Sequence, residues 1–276
     1  MKDLKNKLVF ITGAGSGIGF ETCIAFAKEG CRIIATDINI EGLNILANEV
    51  SQLNQVIYTY ELNVVDRNAY SNLVENIIHK HGCPDIVFNN AGVAFLSRLE
   101  ETTEATWNKT IQVNIMGVVN GCQLFLDKMR SKQSPSYLVN MSSIASKTPF
   151  PFQSAYVASK WAVEGFTDAI RTELALEYSN IKVMSVHPGL INTNLLPTGH
   201  LTFTAKQIAN LNAKYQNDGS PPNVVANDIV KAIKKGKCMV MTGTKAKAGY
   251  WANKVLPKSI LAKLAANDVI KAGLTE

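Results

Sequence analysis

The sequence predicts an α/β fold: one domain with a doubly wound parallel sheet and helices on both faces. Three observations predict it. Short apolar runs alternate with segments of helical periodicity from the first residues onward. A glycine-rich turn follows the first run directly. No linker, repeat or low-complexity tract divides the 276 residues. Right-handed connections between parallel strands then cover both faces and leave the strands' carboxyl ends open to a ligand.

The elements follow in order. "KLVFIT" (7–12) reads as a buried strand, and Ile18 to Glu29 has helical spacing closed by Gly30. "RIIATD" (32–37) is the second strand, followed by a helix near 41–51 and a strand near 55–60. A helix near 67–80 stops at His81-Gly82, and "DIVFNN" (85–90) is the fourth strand. One long helix is expected near 103–130, then the strand "SYLVNMS" (136–142). Residues 154–178 form a helix, and "IKVMSVHPG" (181–189) is a strand ended by Pro188-Gly189. Residues 190–222 are polar and punctuated by proline, as a lid would be. A helix near 224–235 and the strand "KCMVMTG" complete a body that runs to about residue 245, and the tail over 246–276 is expected to be helical.

Hydrophobic residues at 46% and charged residues at 18% are ordinary for a folded chain and exclude wholesale disorder. No apolar run approaches the roughly 20 residues that span a bilayer, and the N-terminal apolar run is too short for a signal peptide. The cysteines (23, 31, 83, 122, 238) are odd in number and form no CxxC pair. That argues against a disulfide framework and for a reducing, cytoplasmic interior. The charge is uneven. Residues 231–276 hold ten lysines against Asp268 and Glu276, a net +8, so the first 230 residues carry −2 of the chain's +6. The tail "KAGYWANKVLPKSILAKLAANDVIKAG" reads either as a surface or docked helix or as a peripheral contact with an acidic membrane. No motif supports a nucleic-acid partner.

"TGAGSGIG" places Gly13, Gly17 and Gly19 between the first strand and the first helix. Such a turn needs positive φ and close backbone approach, which glycine permits. Ser16, Gly17 and Ile18 bring the start of the helix, with its free N–H groups and positive dipole end, to where a pyrophosphate would bind. Asp37 ends the second strand 18 residues after Gly19, the position of a ribose-binding acid. A 2′-phosphate about 4 Å from that carboxylate would cost on the order of 4 kcal/mol per unit charge at an effective dielectric near 20. Neither Ser16 nor Ile38 offers a compensating cation, so NAD is expected over NADP. The fold this implies is the dinucleotide-binding Rossmann arrangement.

Three Tyr–Lys pairs stand four residues apart: Tyr156 with Lys160, Tyr178 with Lys182, and Tyr250 with Lys254. On a helix such a pair shares one face. A cation about 5 Å from a phenol would lower its pKa by about 2 units at an effective dielectric near 20, making it usable as a general base. Context separates the pairs. Ser143 lies 13 residues before Tyr156, at the carboxyl edge of a strand, where its hydroxyl could stabilise a reacting oxygen. The same count from Tyr178 and Tyr250 reaches Gly165 and Lys237. Only Tyr156 has such a partner.

The three-glycine TGxxxGxG turn, followed by "NNAG" (89–92), Ser143, "YVASK" (156–160) and "HPGLINT" (187–193), resembles the classical short-chain dehydrogenase/reductase family over roughly residues 7–195. The resemblance implies that Asn114 is the family's catalytic asparagine, which holds a water that relays protons to Lys160. It implies cofactor contacts at Asn90, Ala91, Gly92, Pro188, Gly189, Ile191 and Thr193, with Tyr156 and Lys160 at the nicotinamide ribose. The family commonly has Asp-Val after the third strand. Here the pair is Asn63-Val64, and the amide oxygen can still accept from adenine. A homodimer or homotetramer packed through the long helices is implied as well.

Phe95, Leu96, the stretch 148–153 with Phe150, and Leu190, Leu195 and Leu196 are expected to wall the substrate side without any cation. Such a wall suits a hydrophobic secondary alcohol or ketone. "HKHGC" (79–83) reads as a helix end rather than a metal site. The expected activity is NAD-dependent hydride transfer. The alternatives are a silent NAD-binding regulatory protein and epimerase or dehydratase chemistry on the same scaffold.

Overall fold

A computed structural model describes residues 1–132, 134–148, 150–177, 180–193, 203–271 and 273. In chain order the elements are β1 (Leu8–Thr12), α1 (Gly17–Lys28), β2 (Arg32–Asp37), α2 (Ile40–Gln52), β3 (Ile57–Glu61), α3 (Arg67–His81) and β4 (Ile86–Asn89). There follow α4 (Glu104–Ile111), α5 (Gly117–Ser131), β5 (Ser136–Met141), α6 (Ser154–Leu176), β6 (Ile181–Pro188), α7 (Ala205–Asp218), α8 (Pro222–Lys234) and β7 (Met239–Thr242). The tail forms α9 (Ala246–Val255) and α10 (Lys258–Lys271).

Among the described residues, seven strands pair in parallel in one sheet, in the order β3-β2-β1-β4-β5-β6-β7. Alternate strand residues divide the core. Val9, Ile11, Ile33, Phe88 and Val186 face α1, α2 and α8, packing on Phe26, Leu46 and Ile229. Phe10, Ile34, Val87 and Val183 face the opposite side, against Tyr70 of α3, Phe125 of α5 and Val163 of α6. Strands covered on both faces read as continuous apolar runs rather than alternating ones, which is why the sequence shows them so plainly. Strand order reverses between β1 and β4, and the crevice at their carboxyl ends is where such sheets bind ligands.

One expectation is corrected. The long helix is broken: α4 and α5 are joined by a π turn over Gln112–Met116, whose centre is the fully buried Asn114. Of the stretch expected as a lid, 194–202 lies outside the described residues. Leu211 of α7 is buried with Phe203 against Leu96 and Phe152, and Val269 of α10 packs on the same cluster. The tail thereby docks on the segment that was expected to be a lid. Both terminal helices are short, separated by Pro257.

The turn between β1 and α1 is packed without slack. Gly13 and Gly17 have φ of +67° and +55°, the left-handed region that disfavours other residues. A Cβ on Gly19 would collide with Gly13 O and lie 2.6 Å from Asn90 Nδ2. Gly19→Ala should therefore destabilise the protein by about 1–3 kcal/mol through forced backbone shifts. Chemical denaturation measures this, and an unaltered midpoint would refute the close packing.

Candidate active site

One cleft of roughly 920 Å³ runs along the carboxyl edge of the sheet, and nearly every residue expected at a ligand lines it. At one end are Gly13, Ser16, Gly17, Ile18, Asp37, Asn63, Val64, Asn90, Ala91 and Gly92. At the other are Phe95, Ser143, Phe150, Tyr156, Lys160, Pro188, Gly189 and Ile191, while Thr193 lines the cleft beside Gly17. Gly19 and Asn114 stand behind the wall rather than in it. Leu195 and Leu196 lie outside the described residues.

The glycine turn is tied down from three sides. Ala14 N–H donates to Thr36 O at 3.0 Å, and Gly15 N–H donates to Asp37 Oδ2 at 2.8 Å. Asn90 Nδ2 donates to Thr12 O and Gly13 O at 2.9 and 3.0 Å. The Asn90 and Ala91 N–H groups donate to Thr12 Oγ1. Ser16, the N-cap of α1, makes no side-chain cap, so the first turn of that helix keeps N–H groups for an outside acceptor. Thr193 closes over Gly17. This donor set, with no side chain of its own to satisfy it, fits a dinucleotide pyrophosphate.

Asp37 is fixed at the rim, with its Oδ1 accepting from Asn39 N–H at 2.9 Å. Among the described lining residues the cations are Lys109 and Lys160. Lys109 Nζ sits 5.8 Å from the Phe95 ring and Lys160 Nζ 5.5 Å from the Tyr156 ring, so both belong to the other end. Asn63 Oδ1 accepts from Val65 N–H at 3.1 Å and holds the turn after β3.

At that other end, Ser143 follows β5, and its Oγ accepts from Ala145 N–H at 3.1 Å and hydrogen-bonds the Tyr156 hydroxyl. Lys160, one turn along α6 from Tyr156, is buried and donates to Met141 O at 3.0 Å. Ser142 Oγ donates to Lys160 O at 3.0 Å, pinning α6 to β5. Asn114 clamps the strand-four loop: its Oδ1 accepts from Val93 N–H at 2.8 Å, and its Nδ2 donates to Val93 O at 2.9 Å. Nδ2 also donates to Ser159 Oγ at 3.0 Å, which links the π turn to α6.

The expected lowering of the Tyr156 pKa is not found. Burial pushes the phenol up to about 12, and the Ser143 hydrogen bond opposes this only in part. Burial also brings Lys160 down to about 8. Desolvation disfavours both charges, so phenol and amine are neutral together only between about 8 and about 12. An ammonium attracts a phenolate, but burying the two groups costs more than that attraction returns.

The substrate wall is also revised. Phe95, Phe150 and Leu190 line it, but Leu96 and Phe152 turn into the cluster with Phe203. Lys109, Asn108 and Gln112 join the lining, so a cation is present after all. Tyr215 of α7 also faces the cleft. Burial raises its pKa, and its hydroxyl hydrogen-bonds the Gln153 side chain. Neither Lys109 nor Tyr215 carries a local signal, since helical periodicity names a face but not its neighbour. Lys254 Nζ packs 4.6 Å over the Tyr250 ring, outside the cleft, and Tyr178 lies outside the described residues. His81 stacks on Tyr58 and hydrogen-bonds the Tyr60 hydroxyl at 2.8 Å.

Fold and cleft together define a dinucleotide-binding α/β oxidoreductase. The sequence matches the short chain dehydrogenase family over residues 7–200, and the chain belongs to that family. The probable oxidoreductase EphD of Mycobacterium tuberculosis is 35% identical over 260 residues, covering 92% of this chain and 44% of that protein. The chain thus spans less than half the length of that relative. A short chain dehydrogenase/reductase from Burkholderia phymatum, solved in complex with NAD, aligns with a TM-score of 0.80 at 23% identity, over 87% of this chain and 90% of that one. An alcohol dehydrogenase from the archaeon Thermococcus sibiricus, solved with 5-hydroxy-NADP, aligns with a TM-score of 0.73 at 23% identity, over 87% and 97%. At these identities the likeness is one of fold.

The Asn114 clamp makes a prediction of its own. Asn114→Ala strands the Val93 N–H and C=O, so stability should fall by about 2–4 kcal/mol. A denaturation midpoint equal to the parent's would show that Val93 is held by other means.

Proposed function

We propose that the chain interconverts a secondary alcohol and a ketone with NAD, Tyr156 acting as general acid/base. The observation that carries this reading is the convergence of Ser143, Tyr156 and Lys160 at one end of a cleft whose other end is the glycine turn with Asp37. The nicotinamide group, when bound, supplies the hydride chemistry. The chain's own residues do the rest. Ser143 Oγ, oriented by Ala145 N–H, shares its hydrogen bond between the Tyr156 hydroxyl and the substrate oxygen. Tyr156 takes the alcohol proton in oxidation and returns it in reduction. Lys160 supports the charge that develops on Tyr156 and reaches the ribose. Asn114 keeps the Val93 loop and α6 in register.

A buried phenol at about 12 is a strong base but is rarely ionised at neutral pH. Alcohol oxidation therefore needs the positive environment of the loaded site, and its rate should climb with pH through the Lys160–Tyr156 titration. Ketone reduction, which uses the phenol as acid, should not. Tyr156→Phe should lower kcat about 10²–10⁴-fold while dinucleotide binding persists. Residual turnover near the parent's would end the assignment.

Asp37 supports NAD over NADP by its charge and by the lack of a nearby cation in the described lining. Asp37→Ser should narrow the preference by about tenfold or more, measured as the ratio of kcat/KM for the two cofactors. A parent that favours NADP would overturn the reading. Phe95, Phe150 and Leu190 support a hydrophobic substrate, with Lys109 and the Tyr215–Gln153 pair available to a polar group at its far end. Trp161 and Leu176, exposed on α6, suit a homodimer or homotetramer packed through that helix. No helix among the described residues is long and apolar enough to cross a membrane. The exposed Trp251, Val255, Ile260 and Leu264 stand among Lys247, Lys254, Lys258 and Lys263, which suits peripheral contact with an anionic lipid surface. Salt-sensitive co-sedimentation with anionic vesicles is expected, and no binding at low salt would remove that contact.

A further inference from the structure

We propose that Gln153 and Tyr215 form a polar subsite for a second oxygen of the substrate, which is then a diol, hydroxyketone or diketone rather than a simple alcohol or ketone. The proposal rests on the reading of Tyr156 as the group that meets the first oxygen.

Gln153 is the residue before α6 and stands three positions ahead of Tyr156, one helical turn away on the same face. Its carbonyl accepts from Val157 N–H at 2.8 Å. Its side chain makes no cap on that helix and lines the cleft instead. There it meets the hydroxyl of Tyr215, which faces the cleft from α7. Tyr215 also lies close enough to Tyr156 for a charge on it to push the Tyr156 phenol up. The amide and both phenols thus face the same space as Phe150 and Leu190.

Two features show that the pair is held in place. Phe152, immediately before Gln153, has a φ of +63°, a left-handed conformation that is strained for a bulky side chain. Its surroundings keep it there. The Phe152 carbonyl accepts from Ser97 N–H at 2.8 Å, and its ring lies edge-on to Phe203 at 5.0 Å and 5.7 Å from the Arg98 guanidinium. Strain that several independent contacts maintain is characteristic of ligand-binding positions. Tyr215, for its part, sits on a helix fixed from behind. Its ring packs on the cluster of Phe203 and Leu211, which Val269 of α10 also joins. Lys214 Nζ donates to Asp268 O at 3.3 Å and ties α7 to α10 again.

The chemistry of the pair selects the ligand. An amide and a phenol offer donors and acceptors without charge, and burial keeps the Tyr215 phenol neutral. Tyr215 occupies one hydrogen-bonding position of the amide, so others remain for a ligand. Such a pair suits a hydroxyl or a carbonyl and leaves a carboxylate without a counter-charge. One helical turn sets the second oxygen roughly 5–6 Å from the first, the spacing of oxygens in a 1,3 or 1,4 relation. A substrate with one oxygen would leave amide and phenol against apolar surface without a partner, and that loss is the source of selectivity.

The test compares cyclohexanol with cyclohexane-1,3-diol and trans-cyclohexane-1,4-diol as substrates of the full chain with NAD. For at least one diol kcat/KM should exceed that for cyclohexanol by about tenfold or more, and Gln153→Leu or Tyr215→Phe should bring the ratio toward one. A parent ratio near one, or a ratio that both variants leave standing, would overturn the subsite. Tyr215→Phe keeps the ring in its cluster and decides alone should Gln153→Leu fail to fold. Ligand-observed NMR titration of the same compounds into Tyr156→Phe with NAD gives a readout that needs no turnover. Tighter binding of a diol, lost when Tyr215→Phe is added, supports the subsite even where the parent oxidises none of the three, and that outcome counts against the proposed activity alone. Equal binding of all three removes the subsite.

Discussion

The constraint on which the site depends is the burial of Lys160 beneath Tyr156. An amine in this position loses its hydration, and the groups around it provide one acceptor, Met141 O, and no carboxylate bond. Burial therefore accounts for a lysine near 8, and it is the largest cause of a phenol near 12, ahead of the opposing Ser143 hydrogen bond and a smaller push from Tyr215. Much of the surrounding architecture keeps that arrangement dry and fixed. Ser142 holds the lysine's own carbonyl, Ser159 joins α6 to Asn114, and Asn114 fixes the Val93 loop at the cleft wall. A phenol near 12 stays neutral at physiological pH, so it ionises only when further positive charge enters the cleft.

The other end of the cleft obeys a different rule. There the backbone supplies the donors and side chains hold the backbone in place. Asn90 and Thr12 fasten the turn to the fourth strand, while Asp37 fastens it to the second. The uncapped start of α1 is left facing the cleft. Because β1 and β4 flank the switch point of the sheet, both ends open into one crevice. A dinucleotide that spans it would meet backbone donors at its phosphates and the titratable pair at its reactive ring.

The strands and the glycine turn were legible in the sequence because both faces of a parallel sheet are buried and because positive φ demands glycine. Tyr156 could be told from the other Tyr–Lys pairs by Ser143, a partner at a fixed remove in the chain. The π turn was not legible. Ile111 to Gly117 keeps helical periodicity, and the break coincides with contacts that Asn114 makes to Val93 and Ser159, far away in sequence. Lys109 and Tyr215 were missed for the same reason: which helix face meets the cleft is decided by packing. The sign of the Tyr156 shift went wrong on physics rather than pattern, since an attraction was counted without its desolvation cost.

The measurement closest to the central claim is a pH titration of Tyr156 by 13C NMR, with the ring Cζ labelled and Tyr156→Phe used for assignment. In the dinucleotide-free protein the Tyr156 resonance should remain that of a neutral phenol from pH 6 to beyond 10, with a small inflection near 8 as Lys160 discharges. Phenolate appearing below pH 8 in that state would contradict the account. It would mean that attraction to Lys160, rather than burial, governs the pair.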